Sequence, residues 1–195
     1  KAMDPSVLMN LLKKAGSDGI SSVYKRLKSN LETLAPLGYS CAGEVVEKAD
    51  DIGDINIGDF VACLGAEYAY HAEFVSVPRN MLVKIPKTVS TKEAAFVTIA
   101  SIALHAVRNA RVQLGDRVAV VGLGLIGQIV VQLLRLSGAK VMGIDILPER
   151  VALAKRFGAE QGVTIHERAD FRKVLATTDH LGVDAAIICT PNATF

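Results

Sequence analysis

The stretch Arg117-Val-Ala-Val-Val-Gly122-Leu-Gly124-Leu-Ile-Gly127-Gln128-Ile-Val-Val-Gln132-Leu-Leu-Arg135 decides the fold. Residues 118–121 form a short, wholly apolar run rich in valine, the pattern of a parallel strand covered on both faces. Gly122, Gly124 and Gly127 follow with the spacing G-x-G-x-x-G and open into an apolar run of helical length. In a strand–turn–helix unit each glycine has its own steric reason. Gly122 permits the tight turn, Gly124 lets the backbone approach a pyrophosphate, and Gly127 lets the helix lie close to the strand. The first N–H groups of that helix, and its dipole, then face the anion.

Three spaced glycines alone are weak evidence, so the second half of the fingerprint decides. Lys140-Val-Met-Gly-Ile-Asp145 reads as the next strand, and its acid stands 18 residues past Gly127. That is close to the roughly 20 expected for a carboxylate that takes a ribose 2′-hydroxyl. Asp145 therefore argues for NAD, since a 2′-phosphate would meet a negative charge, although Arg150 nearby softens that preference. The competing reading is a membrane helix, because residues 118–134 carry no charge and come near a bilayer's thickness. The glycines at its start, Gln128 and Gln132 within it, and the strand ending in Asp145 favour the nucleotide turn.

The composition agrees. The chain has 195 residues, half of them apolar, and a net charge of +2. That fits a globular protein with a sizeable core and gives no reason to invoke nucleic acid or a membrane surface. Cys41, Cys63 and Cys189 are far apart, odd in number and in no C-x-x-C pair, which indicates neither a disulfide framework nor a zinc cluster. A reducing cytoplasm is the expected compartment. The first residues, Lys-Ala-Met-Asp-Pro, form no apolar signal segment.

Along the chain, Asp4-Pro5 predicts a short amphipathic helix to about residue 15, and a second is predicted from about Ser22 to Pro36. Its lysines and arginine read as a solvated face. From Leu37 the periodicity turns toward two. Strands are predicted over 41–47, 60–64, 71–77 and 82–85, with a turn at 57–59, and short strands so closely spaced suggest a small barrel. Ser90-Thr-Lys-Glu93 is a capping box that opens a helix through about Asn109. Beyond Asp145 come a helix from Pro148 to Gly158, a strand near 162–165, a weak helix over 170–177 and a strand at 184–189. The resulting β-α-β-α-β-α-β series implies a parallel sheet with right-handed crossovers.

Barrel strands, then a capped helix, then Gly115-Asp-Arg-Val-Ala-Val-Val-Gly-Leu-Gly-Leu-Ile-Gly127 and Gly143-Ile-Asp145 resemble the medium-chain dehydrogenase/reductase, alcohol dehydrogenase-like superfamily. Leu37-Gly38-Tyr39-Ser40-Cys41-Ala42-Gly43-Glu44-Val45-Val46 sits where that superfamily has its Gly-His-Glu segment. Gly58-Asp59-Phe60-Val61 matches its Gly-Asp-x-Val turn, and Ala72-Glu73-Phe74 its Ala-Glu-Tyr. The stretch before Leu-Gly-Tyr-Ser is similar to the bi-domain oxidoreductase branch, associated with polysaccharide synthesis. The resemblance implies an α/β chain: a partial GroES-like β-barrel domain over 1–111 with two N-terminal helices and a connecting helix, then the first half of a Rossmann doubly wound NAD(P)-binding domain over 112–195. It implies incompleteness at both ends. Gly122, Gly124, Leu125, Ile126, Gly127, Asp145 and Arg150 fall on its cofactor-binding positions.

The departures bear on mechanism. Tyr39 and Ser40 replace the His-Glu pair, Ile99 or a neighbour stands at a third zinc-ligand position, and the structural-zinc lobe has shrunk to residues 63–70. Catalytic zinc needs three protein ligands and an open position. Cys41, Cys63, His71 and Glu73 do not supply them on this reading, so no metal is expected.

The expected function is then zinc-independent hydride transfer between a nicotinamide and an alcohol or carbonyl, on a sugar-derived substrate if the branch holds. Tyr39 is the candidate proton donor, weighed against a plain packing role. Ser101 and His105 share a helix face and are a second candidate relay. The alternative is a non-catalytic dinucleotide-binding or assembly module of a larger oxidoreductase, since fold does not fix chemistry. Expected partners are a small-molecule substrate and either a second copy or a fused second oxidoreductase domain. A strand edge near 184–189 and a missing nicotinamide half predict that residues 1–195 alone turn nothing over.

Overall fold

The computed structural model describes residues 36–166, 171–178 and 180–190. The chain divides into two compact units, 1–37 and 38–195, and every described element belongs to the second. The helices expected over 4–15 and from Ser22 lie outside the described residues.

Three short strands open the unit: β1 (Ser40–Glu44), β2 (Phe60–Leu64) and β3 (Leu82–Lys84). They pair antiparallel in the order β1-β2-β3, with Cys41 opposite Cys63 and Ala62 opposite Val83. The turn expected at 57–59 feeds β2. Gly58 has φ +88°, and its N–H and the carbonyl of Asp59 both bond back to Val45 at 2.9 Å. Val61 and Cys63 point into a small core with Ile55 and Ala69. The predicted strand over 71–77 is irregular instead. Its alternation is real, but no neighbouring strand among the described residues offers it a ladder.

The helix predicted from Ser90 to Asn109 comes as two, α1 (Thr91–Ala94) and α2 (Val97–Asn109). The capping box forms: the Ser90 hydroxyl accepts from the Glu93 N–H at 3.2 Å, and the Glu93 carboxylate accepts from the Ser90 N–H at 3.0 Å. The break follows from a tertiary contact, because the Ser40 hydroxyl donates to the Ala95 carbonyl at 2.6 Å. There the chain tightens to a Phe96 N–H to Glu93 bond before α2 restarts.

The β-α-β-α-β-α-β series is present. It runs β4 (Arg117–Val121), α3 (Leu125–Leu136), β5 (Lys140–Asp145), α4 (Pro148–Arg156), β6 (Gln161–Thr164), α5 (Phe171–Ala176) and β7 (Ala185–Ile188). All four strands are parallel, in the order β6-β5-β4-β7. Successive residues of β4 serve opposite faces. Val118 and Val120 pack with Val130, Val131 and Leu134 of α3, Ala103 and Val107 of α2 and Val151 of α4, whereas Ala119 packs with Met142, Ile144, Val163 and Val174 of α5. Helices on both faces make the sheet doubly wound, and each fully buried valine or leucine contributes about 1.5–3 kcal/mol. The apolar run from residue 118 is thus a strand, a turn and a helix. No helix among the described residues is long and apolar enough to cross a membrane.

The order places the site. From β4 the chain steps outward to β5 and β6, then returns to the other side of β4 as β7. The direction reverses at β4 and β7, and in open sheets of this kind ligands bind outside the carboxyl ends of the strands at such a point.

Candidate functional site

The glycine turn follows the carboxyl end of β4, and its geometry separates the three glycines. Gly122 has φ +90°, and a Cβ there would stand 2.6 Å from Cγ2 of Thr190, just past the end of β7. Gly127 is under the turn: a Cβ would come within 2.0 Å of the Gly122 carbonyl oxygen. Gly124 differs, for nothing lies within 4 Å of the position its Cβ would take. It is also the N-cap of α3 and supplies no capping side chain. The first N–H groups of the helix have no intrahelical acceptor, so open space and unpaired donors meet at the dipole's positive end.

The residue between the first two glycines is clamped. The Leu123 N–H donates to Asp145 Oδ2 at 2.6 Å, and its carbonyl accepts from Gln128 Nε2 at 3.0 Å. The other oxygen of Asp145 accepts from the Leu147 N–H at 2.9 Å. The Asp145 side chain is only 4% exposed, and Arg150, about half exposed, places its guanidinium 3.8 Å from Oδ2. Each hydrogen bond to such a carboxylate is worth about 1.5–3 kcal/mol. Asp145 therefore braces the turn from the neighbouring strand. Its oxygens each retain acceptor capacity beyond the one backbone bond they take.

This arrangement fits the diphosphate and adenosine-ribose end of a dinucleotide: open room at Gly124, helix N–H groups facing it, and an acid at the end of the adjacent strand. Leu125 is half exposed at the mouth, whereas Ile126 packs against the core.

The other candidates are less assembled. Tyr39 is 42% exposed; its carbonyl accepts from the Gly65 N–H at 3.0 Å, and its hydroxyl makes no hydrogen bond among the described residues. The His71 ring lies over Gly38, 2.5 Å from where a Cβ would sit. Ser40 is committed to Ala95. Ser101 and His105 do not meet as a relay, because the Ser101 hydroxyl donates to the Thr98 carbonyl at 2.7 Å and His105 Nε2 pairs with the Asn109 amide at 2.9 Å. Each finds a partner within its own helix.

Among the described residues no group of three or more His, Cys, Asp or Glu could hold a metal ion. Cys41 and Cys63 face each other across β1 and β2, and burial pushes the Cys63 thiol up to about 12, so it stays a protonated packing residue. Among the described residues, Cys41, Cys63, His71 and Glu73 are not gathered into such a group.

Gln128 was not singled out by sequence reasoning as a site residue. Its signal was there, since a glutamine directly after the last glycine of an apolar run must find polar partners if it is buried. The Leu123 peptide carries no side-chain signal at all.

Residues 126–195 match the zinc-binding dehydrogenase family. The (R,R)-butanediol dehydrogenase of Bacillus subtilis (strain 168) is 31% identical over 147 residues, which is 63% of this chain and 42% of that protein. The D-guloside 3-dehydrogenase of Escherichia coli (strain K12) is 38% identical over 125 residues, 64% of this chain and 35% of that protein. A mycobacterial protein solved in complex with NADPH superposes with a TM-score of 0.71 at 25% identity, covering 86% of this chain and 54% of that one. The chain spans less than half the length of these curated relatives. Its similarity is to zinc-type, alcohol dehydrogenase-like oxidoreductases.

Proposed function

We propose that this chain provides the dinucleotide-binding part of a nicotinamide-dependent oxidoreductase acting on an alcohol or carbonyl. The observation that carries the reading is the pairing of open space at Gly124 with the Asp145 brace one strand away. Bound there, a nicotinamide dinucleotide would supply the hydride chemistry. The chain's own residues bind and orient: the first N–H groups of α3, from Leu125 through Gly127, meet the diphosphate. Asp145 accepts a ribose hydroxyl in addition to its backbone donors, and Arg150 neutralises part of its charge. A carboxylate at the ribose favours NAD over NADP. The nucleotide-binding part starts at about residue 112.

We also read the chain as zinc-independent, because Tyr39, Ser40 and Ile99 stand at the ligand positions and none is a ligand of the usual kind. Tyr39, with its hydroxyl free among the described residues, is the candidate proton donor. A sugar-derived substrate is supported by the name of the guloside dehydrogenase relative alone.

The test is calorimetric titration of the full chain with NADH and NADPH, beside an assay with a panel of polyols and hexosides. NADH should bind more tightly, and Asp145→Ala should weaken it by about 1–3 kcal/mol. Equal or reversed affinities would refute the role given to Asp145.

A further inference from the structure

Gln128 is the fourth residue of α3, only 7% exposed, a polar side chain among the buried Gly127, Val130, Val131 and Leu134 of the same helix. Its amide donates twice, to the Leu123 carbonyl at 3.0 Å and to the Arg150 carbonyl at 2.9 Å. Oε1 is buried and has no hydrogen-bond partner among the described residues. The amide cannot turn over to pair it, since the exchange would set an oxygen against two carbonyl oxygens. Gln128 thus has one orientation, and it bridges two elements.

Those elements meet again at Asp145. The Leu123 N–H lies 2.6 Å from Asp145 Oδ2, and the Arg150 guanidinium lies 3.8 Å from the same oxygen. The contacts close a ring from Leu123 to Asp145, to Arg150, to Gln128 and back to Leu123. One link of that ring, the ion pair, is half exposed and long; the Gln128 link is buried and short.

We infer that Gln128 is a positioning residue for cofactor choice: by tying the Arg150 backbone to the glycine turn, it keeps the Arg150 guanidinium on Asp145. The pair then presents a hydroxyl-accepting carboxylate to the adenosine ribose. Freed from that anchor, an arginine this exposed would turn its planar fork toward a 2′-phosphate, which it matches bidentately. Gln128 acts only through Leu123 and Arg150. The inference rests on the dinucleotide reading of the turn.

The test uses the full chain and two probes that differ only at the 2′ position, 5′-AMP and adenosine 2′,5′-bisphosphate, titrated into wild type and Gln128→Met. Methionine keeps the length and removes both donors. The preference for 5′-AMP should fall at least fivefold, partly through tighter binding of the bisphosphate, and the change should vanish in an Arg150→Met background. A purely structural role would lower both affinities together and leave the ratio unchanged, which would overturn the inference.

Should Gln128→Met fail to fold, nuclear magnetic resonance on the wild type decides. The Gln128 side-chain amide protons should exchange slowly and shift on adding 5′-AMP; free exchange or no shift would contradict the inference. A wild-type chain that takes neither probe overturns the dinucleotide reading and the inference with it, whereas binding with an unchanged ratio overturns the inference alone.

Discussion

Gly124 and Gly127 stand three residues apart and are glycine for different reasons. At Gly127 a methyl group would come within 2.0 Å of a backbone carbonyl oxygen, so Gly127→Ala must move the helix or the strand. Overpacking of that kind costs about 1–3 kcal/mol, and the melting temperature should fall visibly. Gly124 has φ −69° and empty space around it, so Gly124→Ala should cost under about 1 kcal/mol, the loss of a tolerant N-cap. Thermal denaturation of both variants checks this, and equal melting temperatures would contradict it. The spacing in the sequence singled out three glycines and the acid as candidates. It could not reveal that Asp145 already holds the Leu123 and Leu147 N–H groups, because a backbone donor leaves no mark in a sequence.

At the scale of elements, local signals were legible and tertiary ones were not. The capping box at Ser90 and Glu93 formed as read, since both partners lie within one turn. The break after Ala94 depends on Ser40, 55 residues away, and no window contains both. Residues 71–77 read as a strand yet pair with none among the described residues, which is the information periodicity omits. One loop contact here has a pH signature. Arg79, in the 3-10 turn Arg79–Met81 before β3, donates through Nε to both oxygens of Asp54 at 2.9 and 3.0 Å, and the guanidinium holds that carboxyl down to about 2. A depressed carboxylate stabilises the fold above its unfolded value near 4 and loses that contribution as pH falls toward 2. Following the Asp54 carboxyl carbon by nuclear magnetic resonance through an acid titration should give a midpoint near 2. A midpoint near 4 would show that the loop is not tied to the turn.

For the whole molecule, the sequence supplied the strand and helix series of residues 117–188; the order β6-β5-β4-β7 then follows from where β7 finds its ladder, beside β4. That order puts Thr190 against Gly122 at the start of the glycine turn. The zinc-independent reading makes its own prediction. Protein purified without added metal should contain well under one zinc per chain by elemental analysis, and any oxidoreductase activity should survive chelation; a stoichiometric content would sink the reading. The central claim is that the turn at 122–127 with Asp145 binds a nicotinamide dinucleotide by its diphosphate and adenosine end. Its most direct test is titration of the full chain with NADH, wild type beside Gly124→Ala. The account predicts saturable one-to-one binding by the wild type and at least a tenfold loss in the variant, with a melting temperature within a few degrees of the wild type. Absence of saturable binding by the wild type, or equal binding by the variant, would contradict it.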